Sequence, residues 1–190
     1  MSLPATAAYS TGACIQGPLR KVFSPVKQAR PRQVLSLALD PENHIRLTVG
    51  ELSRTGESYY LGIAPDSLDD DCRPAAGLKR LLTSWIRQIV DAAGHGLVYL
   101  PFDFSDEYTR WLACELANDE VTVVLGWADV EGWAISPSDL TAFSSHLPGF
   151  RPEEPLVAQT FYLPWFVSQL RRSRSCLLAS DTAPLTPEAG

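Results

Sequence analysis

Two stretches of β-prone residues face each other across a short polar break: Thr109 to Leu116 and Glu120 to Ala128 flank Ala117, Asn118, Asp119 and Glu120. An Asn-Asp pair suits a tight two-residue turn, because both side chains tolerate positive φ. That turn sets Ala117 opposite Glu120, and the two-residue period of a strand then dictates every other pair. Leu116 faces Val121, Cys114 faces Val123, Leu112 faces Leu125 and Arg110 faces Trp127. Three apolar pairs in line make this the core face, with Arg110 placed to lie over Trp127. The reverse face pairs Glu115 with Thr122, Ala113 with Val124 and Trp111 with Gly126, where an indole can cover bare backbone. Cys114 becomes a buried packing residue with a poor claim to be a nucleophile. A chain built around this hairpin needs an antiparallel sheet.

The remaining periodicities add to that sheet. QVLSLALD from Gln33 alternates Val34, Ser36 and Ala38 against Leu35, Leu37 and Leu39, and HIRLTVGEL follows the turn formers Asp40, Pro41, Glu42 and Asn43. SYYLGIA from Ser58 reads as a third strand, LVYLPF as a strand covered on both faces, GWAIS from Gly132 as a further strand and LVAQTFYL as the last. Between them Leu78, Leu81, Leu82, Trp85, Ile86 and Ile89 recur at steps of three and four, which predicts a helix from about Pro74 to Ala93. Lys79, Arg80, Thr83, Arg87 and Gln88 take its other face. Pro74 suits the first turn, Asp69 to Asp71 suit the positive end of the helix dipole, and Gly94 suits a stop. PWFVSQLRRSRSCLL from Pro164 predicts a C-terminal helix, with Trp165, Phe166 and Leu170 as its packing face. The expected class is α+β: a mainly antiparallel sheet of about six or seven strands, one long amphipathic helix on a face, and a C-terminal helix.

A chain of 190 residues, 45% hydrophobic and 20% charged, has the size of one domain with tails. Residues 1–32 read as an irregular basic arm, 33–178 as a single α+β domain and 179–190 as a flexible tail. The net charge of −6 is unevenly spread. The arm has five bases and no acid, residues 33–150 have seven bases against eighteen acids, and the remainder balances at four against four. An acidic domain repels phosphate backbones, so nucleic acid is not expected as a partner, whereas a basic protein would be steered toward it. No run reaches the roughly 18 apolar residues of a membrane span, and the start lacks the basic and apolar regions of a signal peptide. A cytoplasmic protein with no membrane partner is expected, and a homo-oligomer stays open. The four cysteines lack CxxC spacing, and the three histidines form no HxH or HxxxH pair. No cofactor, metal site or catalytic residue is assigned.

One region concentrates polar groups among aromatics beyond what packing asks for. LPFDFSDEYTRW supplies Asp103, Asp106, Glu107, Tyr108 and Arg110, and GWADVEGWAISPSD supplies Trp127, Asp129, Glu131 and Trp133. The hairpin register brings Tyr108 and Thr109 near Ala128 and Asp129, so the two acidic loops become neighbours. Three readings compete. In the structural one, Asp103 and Ser105 cap a short turn, Phe102 and Phe104 anchor it, and Asp106 and Glu107 face water. In the catalytic one, Asp103, Asp106, Glu107 and Asp129 gather a hard cation for metal-assisted hydrolysis. In the third, an acidic rim around Trp and Tyr binds a basic protein. No GxSxG, Walker loop or GxGxxG accompanies these residues. The favoured function is therefore a non-enzymatic protein-binding domain of the acidic adaptor or toxin-neutralising type. The alternatives are a metal-assisted hydrolase on the same carboxylates, or a small-ligand-binding domain with a cleft between sheet and helix.

Overall fold

The computed structural model describes residues 34–62, 74–92 and 94–180. The expected basic arm, the Asp69 to Asp71 triplet and the tail beyond residue 180 lie outside the described residues; Ala179 and Ser180 end the C-terminal helix. The class is α+β, with eight strands among the described residues divided between two antiparallel sheets.

The smaller sheet has the order β1-β2-β3, with β1 at Leu35–Leu39, β2 at Ile45–Val49 and β3 at Leu52–Gly56. Asp40 closes the first turn: one carboxylate oxygen accepts the backbone N–H of Glu42 and of His44, each at 2.9 Å, and Asn43 takes φ 65°. The third strand is not SYYLGIA. Gly50 at φ 59° turns the chain early, so Leu52 to Gly56 pairs back on β2. Tyr59–Gly62 becomes a single 3-10 turn that buries Leu61.

Helix α1 spans Pro74–Asp91 and buries Leu78, Leu81, Leu82, Trp85 and Ile89 on the predicted stripe. Gly94 at φ 77° follows its end. Gln88 is buried, against the expected solvent face, because its Nε2 donates to the Leu140 carbonyl at 2.6 Å. Ser84 donates to the Ser138 carbonyl at 3.0 Å, so this edge of the helix holds down the loop after Ile135.

The larger sheet runs β4 (His95–Pro101), β5 (Thr109–Ala117) and β6 (Glu120–Ala128), and β7 (Arg151–Pro152) and β8 (Ala158–Tyr162) both pair with β6. The β5–β6 register is the one the Asn-Asp turn predicts, from Ala117 with Glu120 to Thr109 with Ala128, and Asn118 has φ 56°. GWAIS does not return as a strand. Gly132–Ala134 forms a 3-10 turn and Ile135 drops into the core.

One core joins both sheets and helices. Leu112, Cys114, Leu116, Val121, Val123 and Leu125 meet Phe161 and, from helix α2 (Leu163–Ser180), Phe166 and Leu170, together with Leu37 and Leu47 of the small sheet. Two of the three reverse-face pairs, Trp111 with Gly126 and Ala113 with Val124, are buried too: Phe143 packs on Trp111 with ring centroids 5.2 Å apart, and Phe150 on Tyr99 at 5.3 Å. Phe150, rather than Trp111, closes over Gly126. A Cβ there would lie 2.4 Å from the Phe150 ring and 2.5 Å from the Arg151 carbonyl oxygen. No helix among the described residues is long and apolar enough to cross a membrane.

Two measurements check this packing. Gly126→Ala should cost about 2 kcal/mol or more, because the backbone of Arg151 cannot yield as a side chain can; the urea midpoint falls at unchanged slope. Burial pushes the Cys114 thiol far above its ordinary range. Iodoacetamide should therefore modify Cys114, followed by peptide mass, only as fast as the native chain opens.

Candidate functional site

The region around LPFDFSDEYTRW is assembled at a joint between the two sheets. β3 ends at Gly56, where an added Cβ would lie 2.3 Å from the Phe102 carbonyl oxygen, so the chains meet backbone to backbone. The Glu57 N–H donates to Asp103 Oδ1 at 2.9 Å, and the Phe104 N–H donates to the Glu57 carbonyl at 2.9 Å. Arg110 Nη1 donates to the Thr55 carbonyl at 3.2 Å, and its Nε lies 3.7 Å from Asp103 Oδ2. Asp103 is only 6% exposed and also accepts the Ser105 hydroxyl. Asp103 does not cap its own turn as expected: the N–H it captures belongs to Glu57, across the fold, and Ser105 bonds Asp103 rather than backbone. Phe102 and Phe104 are fully buried anchors on either side.

The two acidic loops do lie side by side. Thr109 Oγ1 donates to the Val130 carbonyl at 3.0 Å, and the Gly132 N–H donates to the Ser105 carbonyl at 2.7 Å. Gly132 has no room for a side chain, since its Cβ would sit 2.5 Å from the Phe104 carbonyl. The 3-10 turn that it opens leaves Trp133 65% exposed. The turn Tyr59–Gly62 adjoins it and leaves Tyr59 69% exposed, with its ring edge-on to Tyr60 at 4.8 Å. The Tyr60 hydroxyl donates to Asp106; this bond is the main reason its phenol titrates above the ordinary value, with Glu131 adding to the effect. Tyr108 is 52% exposed.

Trp127 is arranged differently from expectation. Arg110 does not lie over it, because the guanidinium is drawn to Asp103 and Thr55. The cation on the Trp127 ring is Arg151, at 4.7 Å from the centroid, placed there by the pairing of β7 with β6. Arg151 Nη2 also lies 3.5 Å from Asp129 Oδ2, and Tyr108 packs on the same indole at 5.8 Å. Beside this stack an open concavity of about 410 Å³ is lined by Trp127, Arg151, Pro152, Glu153 and Glu154. It is lined by the end of β6, by β7 and by the two residues after it, with no residue of either helix, whereas a ligand cleft was expected between sheet and helix. Arg54 donates to Glu153 Oε2 from Nε at 2.9 Å and from Nη2 at 2.8 Å.

The four carboxylates of the hydrolase reading thus have separate surroundings: Glu57 and Arg110 for Asp103, Tyr60 for Asp106, Arg151 for Asp129, with Glu107 at the surface. Among the described residues, no three His, Cys, Asp or Glu side chains are placed to hold a metal ion. Of the nine residues singled out in the sequence, Asp103 and Arg110 belong to the joint, and Trp127 and Asp129 to the Arg151 stack. Asp106, Glu107, Tyr108, Glu131 and Trp133 stand on the outer surface. Sequence reasoning missed Tyr59, read as a strand residue, although Gly56 and Gly62 on either side of it were a signal for turns. It also missed Arg151, whose two-residue strand is too short to show any period.

Removing the Asp103 carboxylate leaves the Glu57 N–H without its acceptor and Arg110 without its counter-charge. Asp103→Ala should lower stability by about 2–3 kcal/mol in urea denaturation, while Glu107→Gln should stay within about 0.5 kcal/mol of wild type.

No protein-family model matches the chain, and no curated protein matches it. Among solved structures, the chain is similar to one from the CdiA-CT/CdiI toxin and immunity complex from Enterobacter cloacae, with 9% identity and a TM-score of 0.46 over 75% of this chain and 99% of that one. A likeness at that level carries no inference about function.

Proposed function

We propose that the chain is a non-enzymatic protein-binding domain that takes a basic partner on the face formed by Tyr59, Tyr108 and Trp133 with Asp106, Glu107 and Glu131. The observation that carries this reading is the exposure of Tyr59, Tyr108 and Trp133, each more than half open to solvent, with the turns of Tyr59 and Trp133 adjoining and Asp106, Glu107 and Glu131 exposed beside them in the chain. Aromatic side chains offer much contact area at small entropic cost, and carboxylates beside them attract Lys and Arg and favour cation–π contacts. Trp127 with Arg151 and Asp129 supports the reading from within the molecule, since the chain's own arginine occupies a ring and a carboxylate of this kind. An adaptor and an inhibitor that neutralises a basic toxin make the same physical demand on this face.

Affinity capture from lysate and then titration of the purified partner tests the proposal. Trp133→Ala should weaken binding by about 2 kcal/mol, roughly 30-fold. Glu107→Gln with Glu131→Gln should mainly slow association, with the difference vanishing at high salt. Equal affinity of wild type and both variants would sink the idea. Calorimetry with magnesium, manganese and calcium bears on the hydrolase alternative, for which a stoichiometric site is required and none is expected.

A further inference from the structure

Among the described residues the outer edge of β8 stands open. As β8 runs into α2, the Leu163 N–H donates to the Asp119 carbonyl at 2.7 Å, on the β6 side. Backbone direction alternates along an antiparallel strand, so Phe161 and Gln159 also turn their N–H and C=O groups to β6. Ala158, Thr160 and Tyr162 turn theirs outward. Among the described residues those three N–H groups, and the Ala158 and Thr160 carbonyls, have no hydrogen-bond partner. Native sheets blunt such edges with charge, proline, a bend or a cover. The other edges of this fold follow that rule: β1 gives its Leu37 N–H to Ser173 of α2 at 3.4 Å, β3 carries Arg54, and β4 bends at Gly96, φ 115°, and ends in Pro101. β8 does none of these, and the chain has no charged residue from Pro155 to Leu170. We propose that β8 pairs antiparallel with β8 of a second copy, about a two-fold axis through Thr160, joining two five-stranded sheets into one.

Charge and symmetry select this occupant. The chain carries a net charge of −6, so two copies repel wherever their acidic surfaces meet, and the neutral edge is where they approach without that cost. A basic partner, by contrast, finds no carboxylate on this strand. The outward groups lie symmetrically about Thr160, so the edge is its own complement in register. Thr160 meets its equivalent, and Ala158 meets Tyr162 of the copy. The side chains of Ala158, Thr160 and Tyr162 share the exposed face of the sheet, where the 54% exposed Tyr162 ring would cover the small Ala158 on both sides of the axis. Leu156 and Val157, also exposed, extend the apolar margin. β8 pairs with β6 as far as Val124, and Ala128, beside the acidic loops, lies about 13 Å further along that strand. The dimer therefore does not use the acidic loops, and it stands or falls independently of the basic partner.

Sedimentation of the full chain across concentration tests this. An edge of five residues is a small interface, so a Kd on the order of 10 μM is expected, with no assembly beyond the closed dimer. Thr160 is exposed, and on the axis any charge placed there meets its own like. Thr160→Lys alone and Thr160→Glu alone should each weaken association about 10-fold or more. An equal mixture of the two should restore it, because an ammonium then faces a carboxylate across the axis, and that restoration requires both variants to be folded. Hydrogen exchange supplies the location: the amides of Ala158, Thr160 and Tyr162 should slow as concentration rises, while those of β3 stay unchanged. A chain that is monomeric at every concentration would leave the edge to an extended segment of another protein and overturn the proposal. So would a dimer that Thr160→Lys leaves intact, or a mixture of the two variants that stays apart.

Discussion

The joint at Asp103 is the contact on which the rest of this surface depends. β3 and the β4–β5 connection approach backbone to backbone at Gly56, and a single buried carboxylate accepts the N–H that β3 leaves unpaired as it ends. The returning Phe104 N–H closes the pair through Glu57, and Arg110 neutralises the carboxylate from the β5 side. A buried polar group is tolerated only when its bonds are complete, and here backbone, hydroxyl and guanidinium complete them. The small sheet, the 3-10 turn of Tyr59 and the two acidic loops are thereby fixed relative to one another.

Around that joint the fold puts similar residues to unequal uses. Phe102, Phe104 and Trp111 are sealed in the core, whereas Tyr59, Tyr108 and Trp133 stay open a few residues away. Leaving large rings in water forgoes the stabilisation that burial gives, and the open Tyr59 and Trp133 on adjoining turns are the feature packing alone does not explain. The carboxylates divide in the same manner. Asp103 and Asp129 are paired to arginines of the chain, Asp106 accepts a tyrosine hydroxyl, and Glu107 and Glu131 meet solvent.

The elements that could be read from the sequence are those whose signal is local. The β5–β6 register came from an Asn-Asp turn and a two-residue period, and the α1 stripe from apolar steps of three and four. Reading failed where a contact from elsewhere overrode the local pattern. SYYLGIA has strand composition, but Gly50 had already turned the chain and placed Leu52 to Gly56 on β2. GWAIS alternates well enough for a strand, yet Gly132 is held to Ser105 and the residues after it coil. Gln88 looked like a surface residue until the Leu140 carbonyl arrived to bind it.

By itself the sequence determined the fold class, the central ladder and the adjacency of the two acidic loops, because turn chemistry and side-chain period act between near neighbours. Only the tertiary structure decided which acids are structural and which face solvent, which cation sits on Trp127, and that Tyr59 joins the surface. Those outcomes depend on pairs far apart in the chain, Glu57 with Asp103, Trp127 with Arg151, and the turn of Tyr59 with that of Trp133. No local pattern encodes such meetings; the closing of the two sheets around one core does.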